Sequence, residues 1–503
     1  MLADAAVTRG LLGFLVVVSA LRLVYLAVGP LDLSPDEAHY WEWSRHLDLS
    51  YYSKGPLIAY LIGALTATLG TSVLAIRSGA VLLSVLGAVG IARLGRVAFG
   101  DARVGALAVV GLQLTPLVWA GSLLMTIDAP FVVCWVLALL GLHRALVGGS
   151  RSAWLLVGLA VGFGLLAKYT MLFVVPGLLV YLWRAPEARR ALARREAGLG
   201  AAIALAVFAP VIAWNVRHGW VSARHVATQG RGAEWSIVTL VEFLLSQVGV
   251  LTPLCAAFIG WAVWYGIREG LVRGREPYRF LTAFGAPVLA FYGSLALQGK
   301  VQANWAVAAY PPLALVAAGA LLDRRDGLAP AGRRAQTRLL VAAGVLALAV
   351  TVAGHMTDHL GLPLRLDPTA RLKGWRELGA AVSLTMRAMP TPARTFVVSD
   401  RYQITSELAF YVEGPPPAYN VNLGRRLNQY DFWDGPEARL GWDAVYVREG
   451  MGALDPRVPA AFDRLQGPSV VEVRRGGRMI RTFSVYQGFG FRGFSPPVGL
   501  PTY

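Results

Sequence analysis

The chain has little charge. Only 15% of its 503 residues are Asp, Glu, Lys or Arg, against about 25% in a typical soluble domain. With 55% hydrophobic residues and a mean hydropathy of +0.51, that shortage excludes an ordinary soluble protein. Cysteine is scarce as well. Cys134 and Cys255 are the only two and sit in separate apolar runs, which leaves no disulfide framework and no cysteine-based metal set. There is no internal repeat and no low-complexity segment. Acidic residues are outnumbered, 30 against 47 Lys and Arg, for a net charge of +17. Such an excess can mark a nucleic-acid binder, but its distribution here excludes that partner. Arginines gather at Arg93/Arg96/Arg103, Arg144/Arg151, Arg184 to Arg195, Arg268 to Arg279 and Arg324 to Arg338. Each cluster lies between apolar runs, as cytoplasmic loops do under the positive-inside rule.

What the chain has in abundance is long apolar runs, from Leu11 to about Met356. They divide into about eleven spans of roughly 20 residues, near 11–29, 73–92, 104–122, 128–146, 152–167, 169–183, 198–216, 239–265, 280–297, 303–322 and 339–356. The first follows Arg9 and ends in no small-residue cleavage site, so it reads as a retained helix and not a signal peptide. With the N-terminus inside, every arginine cluster is cytoplasmic. The stretches 30–72, 119–127, 217–238 and 298–302, and everything after 357, are then external. Leu57 to Leu69 is apolar but short and follows Gly55-Pro56; it is expected to lie along the outer surface. Near 357 the composition turns richer in Pro, Asp, Arg and Tyr. Thr395 to Ser399 and Asp443 to Val447 read as strands, and Gln403 to Val412 as a helix. Val470 to Val473 and Met479 to Val485 read as a hairpin around Gly476-Gly477. The expected organisation is a membrane domain over 1–356 and a small external mixed α/β domain over 357–503.

The external loop 30–72 concentrates the chemistry. It carries Asp36-Glu37-Ala38-His39-Tyr40-Trp41-Glu42-Trp43 and Tyr51-Tyr52-Ser53-Lys54-Gly55-Pro56. A carboxylate at the bilayer edge can have its basicity raised by partial desolvation and take a proton from an attacking hydroxyl. An ammonium such as Lys54 can stabilise a departing lipid phosphate. Tyr51, Tyr52 and Trp43 can bracket a sugar or form an interfacial aromatic belt. Ser34-Pro35-Asp36-Glu37 also reads simply as a helix start. Asp128 and Lys168-Tyr169 lie at span ends, and ionisable residues there point to function. Arg22, inside the first span, can snorkel or pair internally. Two polar stretches, Trp214 to Trp220 leading into His225, Gln229 and Arg231, and Lys300 to Trp305, are candidates to line a cavity. His218 and His225 lack a carboxylate at ligand spacing.

Asp36 to Trp41, Tyr51 to Pro56, Thr126-Ile127-Asp128-Ala129-Pro130, Lys168-Tyr169 and Asn304-Trp305 together resemble the bacterial family 39 glycosyltransferases. These are relatives of the protein O-mannosyltransferases and of the lipid A aminoarabinose transferase, with the GT-C membrane fold. The resemblance covers the membrane region, and Arg401-Tyr402-Gln403 and Gln429 to Trp433 extend it into the tail. It implies an inverting transfer from a polyprenyl-phosphate sugar to a periplasmic glycan or glycolipid, in the bacterial inner membrane, with the active site and C-terminal domain facing the periplasm. It implies catalytic roles for Asp36, Glu37 and Asp128, and phosphate or substrate contacts for Lys54, Lys168, Tyr51, Tyr52, Tyr169, Trp43, His39, Asn304 and Trp305. No cofactor is firmly implied. Ser53 stands where the lipid A branch has an acidic residue, so that branch's metal site does not carry over, and whether Asp36-Glu37 binds a divalent ion stays open. No lumenal β-trefoil of the protein mannosyltransferases is present in the pattern. The alternative is a transporter or flippase for anionic lipids, which would use the same lysines without a base; the missing internal symmetry speaks against it.

Overall fold

The computed structural model describes residues 2–29, 31–228 and 235–495; Gln229 and Arg231 lie outside them. The chain opens with α1 (Leu2–Val28), the short helices α2 (Pro35–Arg45) and α3 (Leu57–Leu69), then α4 (Val73–Phe99), α5 (Ala102–Gln113), α6 (Pro116–Leu123), α7 (Asp128–Leu146) and α8 (Ala153–Ala167). Helix lies at every one of the eleven apolar segments, yet fewer are straight spans. Among the described residues six helices are long and apolar enough to cross a membrane, and nine if each of three bent pairs counts as one.

The bends have local causes. α5 and α6 meet at 76°, where Thr115 caps α6 through its side chain and Pro116 begins it. Ile237–Leu251 and Pro253–Val272 meet at 113° across Thr252, whose φ is +74°. A proline has no N–H to continue the preceding helix and disfavours helical backbone in the residue before it. The expected continuous spans at 104–122 and 239–265 are therefore broken. α3, with 13 residues, is too short to span. It buries Ile58, Ala59 and Ile62 in a cluster with Trp41 and Trp43 of α2 and Ile76 of α4.

The bundle core holds Phe131, Trp135 and Leu139 of α7 with Phe280, Phe284 and Leu313. α8 lies so close to the Arg195–Arg217 helix that a Cβ on Gly158 would stand 2.4 Å from the Gly200 carbonyl oxygen. Such small-residue contacts are how helices pack where apolar burial gives no preference. Arg22 pairs inward: its Nη1 donates to Gln113 Oε1 at 2.7 Å, and its guanidinium stacks on Trp119.

Beyond residue 357 the chain forms a five-stranded mixed sheet in the order β2-β1-β3-β5-β4, from β1 (Thr395–Ser399), β2 (Ala418–Asn420), β3 (Asp443–Glu449), β4 (Phe462–Arg475) and β5 (Arg478–Phe491). β1 runs parallel to β2 and β3, while β5 is antiparallel to β3 and β4. Gly476 and Gly477 turn the β4–β5 hairpin with φ of +54° and +76°, the left-handed pair a two-residue turn needs. One sheet face packs Val397, Val445 and Phe483 against Trp375 and Leu378 of one helix (Trp375–Arg387) and Leu408 of another (Tyr402–Tyr411). The second helix also packs on α2, with Phe410 edge-on to Trp41 at 4.9 Å.

Candidate active site

α2 begins with a capping box. Ser34 Oγ accepts from the Glu37 N–H at 3.2 Å, and Glu37 Oε2 accepts from the Ser34 N–H at 2.9 Å. Such reciprocal bonds satisfy two of the helix's free N–H groups. Pro35 at the first helical position fixes φ for the start. The helix thereby presents Asp36 and, one turn on, Tyr40 on one face. Asp36 is exposed, where partial burial was expected. It accepts a hydrogen bond from the Tyr402 hydroxyl at 3.3 Å. Tyr40 is buried, and burial, then the charges of Asp36, Tyr402 and Asp128, push its phenol well above the ordinary range.

Asp128 stands in the first turn of α7, where a negative charge complements the helix dipole. Lys168 Nζ donates to its Oδ1 at 2.7 Å and Asn304 Nδ2 to its Oδ2 at 2.5 Å. Three segments distant in sequence thus converge on one carboxylate. Lys54 joins them from the loop between α2 and α3. Its ammonium makes no hydrogen bond or ion pair among the described residues. Burial lowers its pKa below the usual lysine range; Lys168 and Arg426 add to that lowering, while Asp36 and Asp128 oppose it. Gly55 explains how the loop comes so near: a Cβ there would stand 2.2 Å from the Leu166 carbonyl oxygen at the end of α8. Only glycine allows that approach.

Several expected contacts are instead structural. Glu37 is fully buried and accepts from Arg77 Nε at 3.0 Å, Arg77 Nη2 at 2.8 Å and the Met125 N–H at 2.9 Å, besides Ser34. Burial works against its charge, but Arg77 outweighs it and holds the carboxyl below its ordinary range. All its acceptor positions are used, so it ties α2 to the bundle and is not a free base. Trp43 and Tyr51 are buried and stacked with centroids 4.3 Å apart. The Tyr51 hydroxyl is spent on the Trp43 carbonyl at 2.9 Å, with His46 O at 3.1 Å; neither ring can bracket a sugar. Tyr52 is buried against His225 and Phe432. His39 is buried; its Nε2 accepts from Trp43 Nε1 at 3.1 Å, and its ring stacks on Tyr430. Burial first, then Arg425, lower its pKa to about 3, so it packs as a neutral ring. Tyr169 and Trp305, next in sequence to Lys168 and Asn304, are half-buried.

An apolar cavity of about 250 Å³ runs between α4, α5, α6 and α7 and ends at Asp128, Asn304 and Tyr310. No three His, Cys, Asp or Glu side chains among the described residues gather as a metal-ligand set. Asp128 is committed to Lys168 and Asn304, and Asp36 shares its surroundings with Lys54. This donor set fits an anion between lysines and does not fit a divalent cation. Sequence reasoning missed Arg77 and Arg426, and gave no site role to Tyr40 and Tyr402 although both stand in its motifs. Tyr40 could have been found from its i+4 spacing to Asp36, and Arg77 as a charge in an apolar span.

Residues 53–214 match the family described as dolichyl-phosphate-mannose-protein mannosyltransferase. The lipid A galacturonosyltransferase RgtD of Rhizobium johnstonii is 31% identical over 395 residues, 78% of this chain and 80% of that one. The chain belongs to the GT-C glycosyltransferases that use polyprenyl-phosphate sugars. A second relative of this glycosyltransferase is the undecaprenyl phosphate-alpha-4-amino-4-deoxy-L-arabinose arabinosyl transferase of an Enterobacter species, 29% identical over 191 residues and 34% of each chain. The fold matches ArnT from Cupriavidus metallidurans bound to undecaprenyl phosphate, with a TM-score of 0.66 and 17% identity over 95% of this chain and 98% of that one. It also matches the archaeal oligosaccharyltransferase AglB from Archaeoglobus fulgidus, with a TM-score of 0.52 and 13% identity over 87% and 69%. The glycosyltransferase is a multi-pass membrane enzyme, and its relatives give the transporter alternative no support.

Proposed function

We propose that this glycosyltransferase moves a sugar from a polyprenyl phosphate to a hydroxyl of lipid A or a similar glycolipid at the periplasmic face of the inner membrane. The observation that carries the reading is the meeting of an apolar cavity with a polar cluster: Asp128 and Asn304 end the cavity, and Lys54, unpaired among the described residues, feels both Asp36 and Asp128. The prenyl chain lies in the cavity and its phosphate faces Lys54 and Lys168. The acceptor oxygen attacks the anomeric carbon from the opposite side, the bond to the phosphate oxygen breaks, and the anomeric configuration inverts. Asp36 takes the acceptor's proton, and the ammonium groups stabilise the leaving phosphate. Asp128, held by Lys168 and Asn304, keeps the lysine and the sugar in place. Glu37 positions α2. The arginine-rich loops support a cytoplasmic side opposite the Asp36 loop, with the region after 357 forming the periplasmic domain and about eleven helices crossing or entering the membrane.

The test is transfer from radiolabelled polyprenyl-phosphate sugars, galacturonosyl and aminoarabinosyl donors among them, to lipid A by the protein in nanodiscs. Asp36→Asn is expected to lower turnover about 10²–10⁴-fold, the range of a lost general base, with donor binding retained. Equal turnover in Asp36→Asn would remove Asp36 from the reaction.

A further inference from the structure

Above α2, on the side of the C-terminal sheet, lies a second cavity of about 400 Å³ that shares no lining residue with the apolar one. Pro35 and Tyr402 form part of its wall, so it opens beside Asp36, the carboxylate that accepts from the Tyr402 hydroxyl. Its other walls are unusually cationic: Arg371, Arg401, Arg425, Arg426 and Arg481 face it against two acids, Asp400 and Glu449.

The pairing inside this wall is incomplete. Arg425 is held by Asp431 at 2.7 Å, and its Nε is buried without a hydrogen-bond partner among the described residues. Arg401 reaches Glu449 at 3.1 Å; Arg481, laid over the Trp375 ring at 4.4 Å, shares the same Glu449 at 3.7 Å. Arg371 and Arg426 are exposed and make no ion pair among the described residues. Both act electrostatically on Tyr402, and Arg426 also acts on Lys54. Several guanidinium groups around one hollow, short of carboxylates, form a site for an oxyanion, and their planar forks match phosphate geometry.

We propose that this cavity binds a phosphate group carried by the acceptor glycolipid, and so sets the acceptor's headgroup with its hydroxyl against Asp36. The inference rests on the proposed transfer to a glycolipid. It assigns the phosphate to the acceptor because the donor phosphate already has Lys54 and Lys168, the latter bonded to Asp128 where the apolar cavity ends. Arginine neutralises the acceptor's charge, and binding there leaves the acceptor hydroxyl as the group still facing the base.

The experiment compares wild type, Arg371→Gln and the double variant Arg371→Gln/Arg401→Gln in nanodiscs, with lipid A and with chemically dephosphorylated lipid A as acceptors. Both arginines are exposed, so the thermal midpoint serves as a check that the fold is kept. The double variant is expected to raise KM for lipid A about ten-fold, as for loss of one charge-assisted contact. kcat, KM for the donor and KM for the dephosphorylated acceptor should stay within about two-fold. Inorganic phosphate should compete with lipid A in the wild type and lose that effect in the double variant. An unchanged KM for lipid A, or an equal rise with the dephosphorylated acceptor, overturns the proposal. A raised donor KM reassigns the cavity to the donor and overturns it as well. Direct binding of lipid A to the same proteins judges the site apart from turnover. If the wild type binds lipid A through these arginines but transfers nothing, the proposed reaction fails and the phosphate site stands.

Discussion

Lys54 is an ammonium without a hydrogen-bond or ion-pair partner among the described residues, kept near a second ammonium by a loop that only glycine can fold. Removing its charge with Lys54→Met should lower kcat about 10²–10³-fold, the scale of one lost electrostatic contact to a developing anion, in single-turnover assays with saturating donor. Its depressed pKa also has a sign. The proposed role needs the protonated form, so activity should hold at lower pH and fall as pH rises through a value below the ordinary lysine range. Lys54→Arg should retain part of the rate and move the alkaline limb upward, because a guanidinium stays charged. A pH–rate profile that ignores both substitutions would remove Lys54 from the step. Gly55→Ala must push the loop from the Leu166 carbonyl and is expected to cost at least about ten-fold in kcat with the fold intact, since small misplacements near reacting groups are expensive. At this scale the sequence was readable for Asp128, Lys168, Asn304 and Lys54, because charged and polar groups at the ends of apolar runs stand out. It misled at Trp43 and Tyr51. A tryptophan next to an acidic motif looks the same in a sequence whether its ring faces solvent or the core.

α2 is the element on which the site depends, and buried carboxylates hold it at both ends. Near its start, Glu37 and Arg77 are an almost wholly buried pair. Arg77→Met should leave an unpaired buried carboxylate and destabilise the protein by about 3–5 kcal/mol, measured by thermal unfolding in detergent. The double variant Glu37→Gln/Arg77→Met should recover much of that loss. Near its end, Glu42 accepts from the Tyr430 hydroxyl, and burial raises its pKa from 4.5 to about 8, against the opposing pull of Tyr430 and Arg45. The folded protein therefore holds a proton that the unfolded chain releases above about pH 4.5. Its contribution to stability is complete below that value and is lost as pH rises to about 8. Glu42→Gln, which keeps an acceptor for Tyr430, should flatten the fall in thermal midpoint between pH 5 and 8, and an unchanged slope would show that Glu42 is charged. β1 and the hairpin turn were legible because their patterns are local. The bends at Thr115-Pro116 and Thr252-Pro253 were visible as prolines but were hidden by averaging apolarity over whole spans. The Glu42–Tyr430 contact joins residues 388 apart, and no local pattern encodes it.

For the whole molecule, Asp36, the proposed base on α2, is placed by two bodies of chain at once. The bundle grips α2 through Arg77, and the C-terminal region covers it through Tyr402, Tyr430 and Tyr411, whose hydroxyl accepts from the Leu33 N–H at 2.8 Å. Asp32 strengthens the junction by accepting from the Trp375 N–H at 2.9 Å and pairing with Arg376 at 3.0 Å. The cationic cavity lies beside Asp36 through Pro35 and Tyr402, and the apolar one ends at Asp128 and Asn304; two separate cavities suit a reaction between two lipids that enter separately. The apolar side can be blocked without disturbing the rest. Gly121 lines that cavity, and a Cβ there meets nothing within 4 Å. Gly121→Phe should therefore fold normally, even gaining some helix propensity over glycine, while filling space proposed for the prenyl chain. KM should rise for a long-chain polyprenyl-phosphate sugar and stay level for a water-soluble donor with one or two isoprene units, with kcat little changed for both. An equal rise for both donors would mean that the substitution reaches the headgroup site. No change for the long donor would show that its chain lies elsewhere, and the apolar cavity would then lose its place in the reaction.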